Sequence, residues 1–297
     1  MKVLSLLAPL VLLAVSESAA AHPALVKRAD PTQTQILQYA LTLEHLENAF
    51  YHGGLAKFGA KAFEKAGFPS FVRGRIAQIG QHEQSHVDFL TSALGSSAVA
   101  ACQYNFPYTD PVSFIALSNI LENVGTTAYL GGAKFLTDPG VLTAAGSILA
   151  TEARHAAWIN AVPQKGAPFS GSFQTPLDQN QVFTLAASFI TSCPASNQAL
   201  PFTAFPALAI KGTATPGKKV KLTYTDSGSG AHYLAIFSGL KTLFAPIDAN
   251  KEVTIPSGLQ GLVFGVVTSD NTAVTDANTI AGVAIIDIPI LSTASNP

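Results

Sequence analysis

Charge is what this chain has least of. Only 12% of its 297 residues are Asp, Glu, Lys or Arg, and the formal net charge is −1. No basic run or stripe occurs, so the electrostatic footprint of a nucleic-acid partner is missing. With 48% hydrophobic residues, the composition suits a compact globule and excludes long disordered tails. Cysteine is nearly absent too. Cys102 and Cys193 are the whole supply and neither sits in a C-x-x-C pair, so one disulfide is their simplest use. Closing a loop of that length stabilises by about 4 kcal/mol in the chain-entropy model. No Asn-x-Ser/Thr acceptor occurs, and N-glycosylation is not expected. The tail from Ser292 to Pro297 is polar, unlike a lipid-anchor signal.

The N-terminus reads as a targeting segment. Lys2 is followed by the apolar run Val3 to Val15, too short to span a bilayer, and then by Ala19, Ala20 and Ala21 as a cleavage site. Residues 1–21 are therefore expected to be a signal peptide. Lys27-Arg28 marks residues 22–28 as a pro-peptide, with the mature chain starting near Ala29. The expected location is extracellular or cell wall, with no membrane partner for the mature form.

Two textures follow, and they predict two domains. Asp30-Pro31, Asp110-Pro111 and Asp138-Pro139 each pair an N-cap oxygen with proline at the first helical position. Apolar residues at helical spacing then predict one helix ending near Gly53-Gly54 and a second from Pro69-Ser70 to about Leu94. A third ends around Gly131-Gly132, a fourth before Pro163, and a fifth runs from about Asp178 to Thr191. Residues 95–109 lack periodicity and read as a long crossover. Four long helices with a lengthened second connection predict an up-down-down-up bundle over 29–200. From about Ala204 the runs shorten and turn β-branched: Leu208 to Ile210, Val220 to Thr225, His232 to Phe237, Val253 to Ile255, Leu262 to Thr268 and Val283 to Ile288. With Ser227-Gly228-Ser229-Gly230 among the turns, residues 201–297 read as a small antiparallel β-sandwich. The fold class is thus α plus a separate β domain. His232, alone there, reads as a surface or edge histidine.

The chemistry lies in a repeat. L-E-x6-Y-x-G-G occurs at Leu43 to Gly54 and again at Leu121 to Gly132. Each copy is followed by E-x-x-H, as Glu83 with His86 and Glu152 with His155. Residues three apart share a helix face, so each E-x-x-H offers an oxygen and a nitrogen to one point. Glu44 and Glu122 sit mid-helix among apolar neighbours. Four buried carboxylates repel one another unless compensated, and two divalent cations balance them. Oxygen-rich ligation with one imidazole per ion suits iron or manganese better than structural zinc. A single E-x-x-H is ordinarily a solvated pair on a helix surface. Two copies, each downstream of the same longer motif, are not explained that way.

Glu44, Glu83-x-x-His86, Glu122 and Glu152-x-x-His155 together resemble the ferritin-like di-metal carboxylate proteins. With the leader and the extra C-terminal region, the chain looks more narrowly like the fungal secreted ferritin-like proteins, an Rds1-type stress-response group related to plant desiccation proteins. The resemblance covers about residues 30 to 195. It implies a ferritin-like four-helix bundle and two metal ions, Fe or Mn. It also implies redox chemistry on peroxide, dioxygen or ferrous iron, ferroxidase- or catalase-like, without naming one reaction.

Three features compete with that reading. His82-Glu83-Gln84-Ser85-His86 also matches the H-E-x-x-H zinc-protease pattern, but the position equivalent to His82 in the second copy is Thr151. His82 then belongs behind the ligands or on a helix face. Glu47 lies one turn from Glu44, and Gly125 is its counterpart. It reads as an acceptor behind the ligands or a surface charge, with ligation left open. His45 and His52 lack repeat partners. Tyr51 and Tyr129 either hydrogen-bond ligand carboxylates, carry a redox equivalent or pack in the core. The expected function is a secreted di-metal oxidoreductase whose partner is a small oxidant or metal ion. The rival is a non-catalytic stress or surface protein with a structural di-metal site and a sandwich that binds a cell-wall or protein partner.

Overall fold

The computed structural model describes residues 30–226 and 230–288. The expected signal peptide and pro-peptide, most of the expected Ser227–Gly230 turn and the polar tail lie outside the described residues.

The four long helices are α1 (Gln33–Lys57), α3 (Phe71–Leu94), α4 (Pro111–Gly132) and α5 (Pro139–Ala161), with short α2 (Ala60–Lys65) and α6 (Gln179–Ala187). α1 packs along α3 and α4 along α5, which makes two hairpins joined by the long crossover. The N-caps of α4, α5 and α6 are Asp110, Asp138 and Asp178, each side chain accepting from the backbone N–H three residues on. At α1 the expected cap is displaced. Thr32, not Asp30, caps the helix and forms a reciprocal box with Gln35.

Gly53-Gly54 does not end α1, which continues to Lys57. The pair serves close approach instead, because a Cβ on Gly54 would run into the ring of Phe114. That ring joins Phe50, Phe58, Phe63 and Tyr108 in an aromatic cluster that seats the crossover on the bundle. The crossover is also pinned chemically. Cys102 and Cys193 form the expected disulfide, beside a two-stranded ladder of β1 (Gln103–Tyr104) with β2 (Ile190–Ser192). This ladder cuts α6 short of the predicted Thr191.

The C-terminal part is antiparallel. β3 (Leu208–Lys211), β4 (Lys219–Tyr224) and β7 (Glu252–Thr254) form one sheet in that order. β5 (Tyr233–Ser238), β6 (Lys241–Pro246), β8 (Gly261–Thr268) and β9 (Thr279–Ile288) form the other, ordered β6-β5-β8-β9. Leu222, Leu234, Ile236, Ile255, Val263 and Ile286 fill the space between the sheets. The opposite face of the larger sheet packs Ala235, Phe264, Val266 and Val283 into the same core as the helices. Burial on both faces explains why β8 reads as a nearly unbroken apolar run rather than an alternation. β6 was not expected: it carries Lys241 and Pro246, and its pairing with β5 across the Gly239-Leu240 turn creates it. His232 is buried rather than at the surface, its Nδ1 3.1 Å from the Tyr224 hydroxyl.

Candidate metal centre

Each long helix brings one glutamate to the middle of the bundle. Glu44 on α1, Glu83 on α3, Glu122 on α4 and Glu152 on α5 are all 0% exposed. E-x-x-H places His86 and His155 beside them, nearly as buried. The donor atoms fall into two sets, each lying within 4.8 Å of one another: Glu44, Glu83, His86 and Glu152, and Glu83, Glu122, Glu152 and His155. Glu83 and Glu152 belong to both. One imidazole and one private carboxylate per set, with two carboxylates in common, is a donor pattern that could hold two metal ions.

The two imidazoles lie against the carboxylates. His86 Nδ1 lies 3.3 Å from Glu44 Oε2, 3.0 Å from Glu83 Oε2 and 3.3 Å from Glu152 Oε1. His155 Nδ1 lies 3.0 Å from Glu122 Oε2 and 3.2 Å from Glu83 Oε1. Burial opposes charge on both imidazoles, but hydrogen bonds to the carboxylates prevail and push His86 up to about 12 and His155 to about 10. Burial likewise raises Glu44 to about 7 and Glu152 to about 8, and lifts Glu122. Even so, Glu83 Oε1 and both Glu152 oxygens have no hydrogen bond, although imidazoles stand 3.2–3.3 Å from Glu83 Oε1 and Glu152 Oε1. Buried carboxylate oxygens left without hydrogen bonds, at the two positions common to both sets, are what bridging cations would satisfy. The residues present fit a pair of ions.

The tyrosines cross between the halves. Tyr51 on α1 donates to Glu122 on α4, and Tyr129 on α4 donates to Glu44 on α1 at 2.5 Å. Each private carboxylate is therefore oriented by the opposite hairpin. Burial raises both phenols well above their usual range, so they are donors here.

His82 sits behind the centre, as the second copy of the motif suggested. Its Nδ1 is 2.8 Å from His155 Nε2, and the two rings stack. It belongs to neither donor set, so the zinc-protease arrangement is not formed. With Nδ1 of His155 turned to the carboxylates, its Nε2 faces His82, which orients the ring. Burial and the neighbouring His155 lower the pKa of His82. His45 turns away to the Val99 carbonyl at 3.0 Å, and His52 is exposed.

Glu47 corrects the surface-charge reading. It is buried, Oε2 has no hydrogen bond, and burial followed by repulsion from Glu152 and Glu44 raises its pKa well above the usual carboxylate range. A Cβ on Gly125 would lie 3.0 Å from Glu47 Oε1 and 2.8 Å from Glu152 Oε2. The glycine opposite Glu47 in the repeat was the available signal: a missing side chain facing an extra one.

A bundle of this order with paired Glu/His sets on its helices defines the ferritin-like class, and residues 32–165 match the family model described as "Ferritin-like domain". The helical part of the chain is thus similar to ferritin-like domains, and the chain spans less than half the length of the curated relative it matches. The chain is similar to "Protein rds1" of Schizosaccharomyces pombe, 30% identical over 174 residues, which take in 59% of this chain and 43% of that protein. A crystal structure of a conserved hypothetical protein from Mycobacterium tuberculosis also matches. It is 20% identical with a TM-score of 0.38, over 47% of this chain and 96% of the other.

Proposed function

We infer that the protein is a secreted di-metal oxidoreductase of stress response, carrying iron or manganese and acting on peroxide, dioxygen or ferrous iron. The observation that carries this reading is the sharing of Glu83 and Glu152 between the two Glu/His sets. The ions would supply one-electron steps at two adjacent centres. The protein's own groups do the rest. Glu44 and Glu122 are aimed by Tyr129 and Tyr51, His155 is aimed by His82, and the apolar surround keeps bulk water out. A disulfide suits an oxidising compartment and supports secretion.

Complete burial of the four shared and private glutamates favours a second reading, in which the ions staple the bundle without turnover. In that case the sandwich binds a cell-wall or protein partner, a role supported by exposed Phe169, Phe173 and Leu240. Elemental analysis of protein from its own host, followed by peroxide and ferrous-iron turnover, separates the two. Two ions per chain with turnover lost in Glu122→Ala supports the enzyme. Two ions without turnover, and a large loss of Tm on chelation, supports the staple. Fewer than about one ion per chain after reconstitution overturns both.

A further inference from the structure

A cleft of about 330 Å³ opens where the bundle meets the sandwich, and it is separate from the metal centre. Its floor is the outer face of α4 and α5, with Asn123, Arg154 and Asn160. Its far wall is the segment 166–175, which crosses from the bundle to the sandwich and contributes Phe169 and Gln174. Gly261 at the start of β8 closes it. Everything beyond residue 165 lies outside the matched ferritin-like segment, so this cleft is a property of the composite chain.

The walls are fixed at both ends. Asn160 Nδ2 donates to the Ala167 carbonyl, and Gln260 Nε2 donates to that of Ser170. Gly239 N–H donates to Thr175 Oγ1 at 2.8 Å. Gly261 has φ +67°, and a Cβ there would meet the backbone of Ser170 at 2.5 Å, so wall and sheet touch through a residue that only glycine can be. The segment is thus tied to α5 at one end and to the larger sheet at the other.

The lining says what fits. Arg154 is its single charged residue; Nη2 donates to Thr151 Oγ1 at 2.9 Å, and no carboxylate pairs with it among the described residues. An exposed guanidinium without a carboxylate partner, in a lining that also holds Asn123, Asn160 and Gln174, is a receptor for a carboxylate, which it takes in planar two-point fashion. Phe169 is 72% exposed at the rim and offers an aromatic face to a flat apolar body. The volume lies at the lower end of small-molecule sites, roughly 300–1,000 Å³. We propose that this interdomain cleft binds a small aromatic monocarboxylic acid, its carboxylate on Arg154 and its ring against Phe169.

The test is titration calorimetry of the full-length secreted protein with benzoate and 4-hydroxybenzoate, and with neutral benzamide as control. It is run on chelated and on metal-loaded protein. Saturable binding of the acids, equal in both forms and at least tenfold weaker in Arg154→Ala, is expected, with partial recovery in Arg154→Lys. Because Arg154 adjoins His155, Phe169→Ala provides an independent arm: several-fold weaker binding with unchanged metal content. Equal affinity for benzamide, binding that Arg154→Ala leaves intact, binding only to metal-loaded protein, or no saturable binding at all would each overturn the assignment. The metal reading is decided separately, by elemental analysis.

Discussion

Glu47 fills the space that Gly125 leaves open. The two residues occupy equivalent places in the two halves of the repeat, each three after its helix's glutamate, and the Glu47 carboxylate shares the room left by Gly125 with that of Glu152. The pseudo-symmetry of the centre is broken there and at His82, whose counterpart is Thr151. The two donor sets therefore have unlike surroundings.

Gly125→Ala tests that packing. Alanine favours a helix by up to about 1 kcal/mol over glycine, so the variant should fold with unchanged or higher Tm. Its methyl group would displace the ends of the buried Glu47 and Glu152 side chains, and Glu152 serves both donor sets. Metal content measured after reconstitution should fall below two ions per chain, whereas Glu47→Gln should retain two, since Glu47 belongs to neither set.

Tyr129→Phe removes a donor to Glu44 and keeps the ring. A hydrogen bond to a charged group contributes about 1.5–3 kcal/mol, and this one favours the ionised carboxylate. Without it Glu44 holds its proton more tightly, so metal affinity should drop, and more at pH 6 than at pH 8. Competition titrations against a chelator at both pH values measure the difference.

Metal-free protein should lose stability as pH rises. Glu44 and Glu152 titrate at about 7 and about 8 when folded, against an ordinary 4.5, and His86 and His155 are raised as well. Between about pH 5 and 8 the folded state thus holds more protons than the unfolded chain, and stability falls with increasing pH. The histidine contribution is complete below 6.5 and disappears as pH passes about 10 for His155. Metal-loaded protein should behave oppositely over pH 5–8, because ions displace those protons. Denaturant midpoints with and without chelator provide the comparison.

Cys102→Ser should cost about 4 kcal/mol of stability, the entropy of a closed loop of that length, and reductant should do the same to the wild type. Residues 102 and 193 flank the β1–β2 ladder, so amide exchange at Gln103 and Tyr104 should quicken before that of the long helices.

What the sequence determined by itself is what local rules and repetition carry. Asp110, Asp138 and Asp178 cap helices wherever their short side chains meet a free turn of backbone N–H groups, and helical periodicity needs no partner to be read. That the six Glu and His residues converge was legible because the motif is written twice, and the disulfide because only two cysteines exist. Tertiary structure alone decided the rest. It buried Glu47 against Gly125, stacked His82 on His155, and crossed Tyr51 and Tyr129 to the opposite hairpin. It also carried α1 through Gly53-Gly54, made a strand of Lys241–Pro246 and laid the larger sheet on the helices. Each of these depends on a neighbour distant in the chain, and no helical or strand period records what stands across the gap.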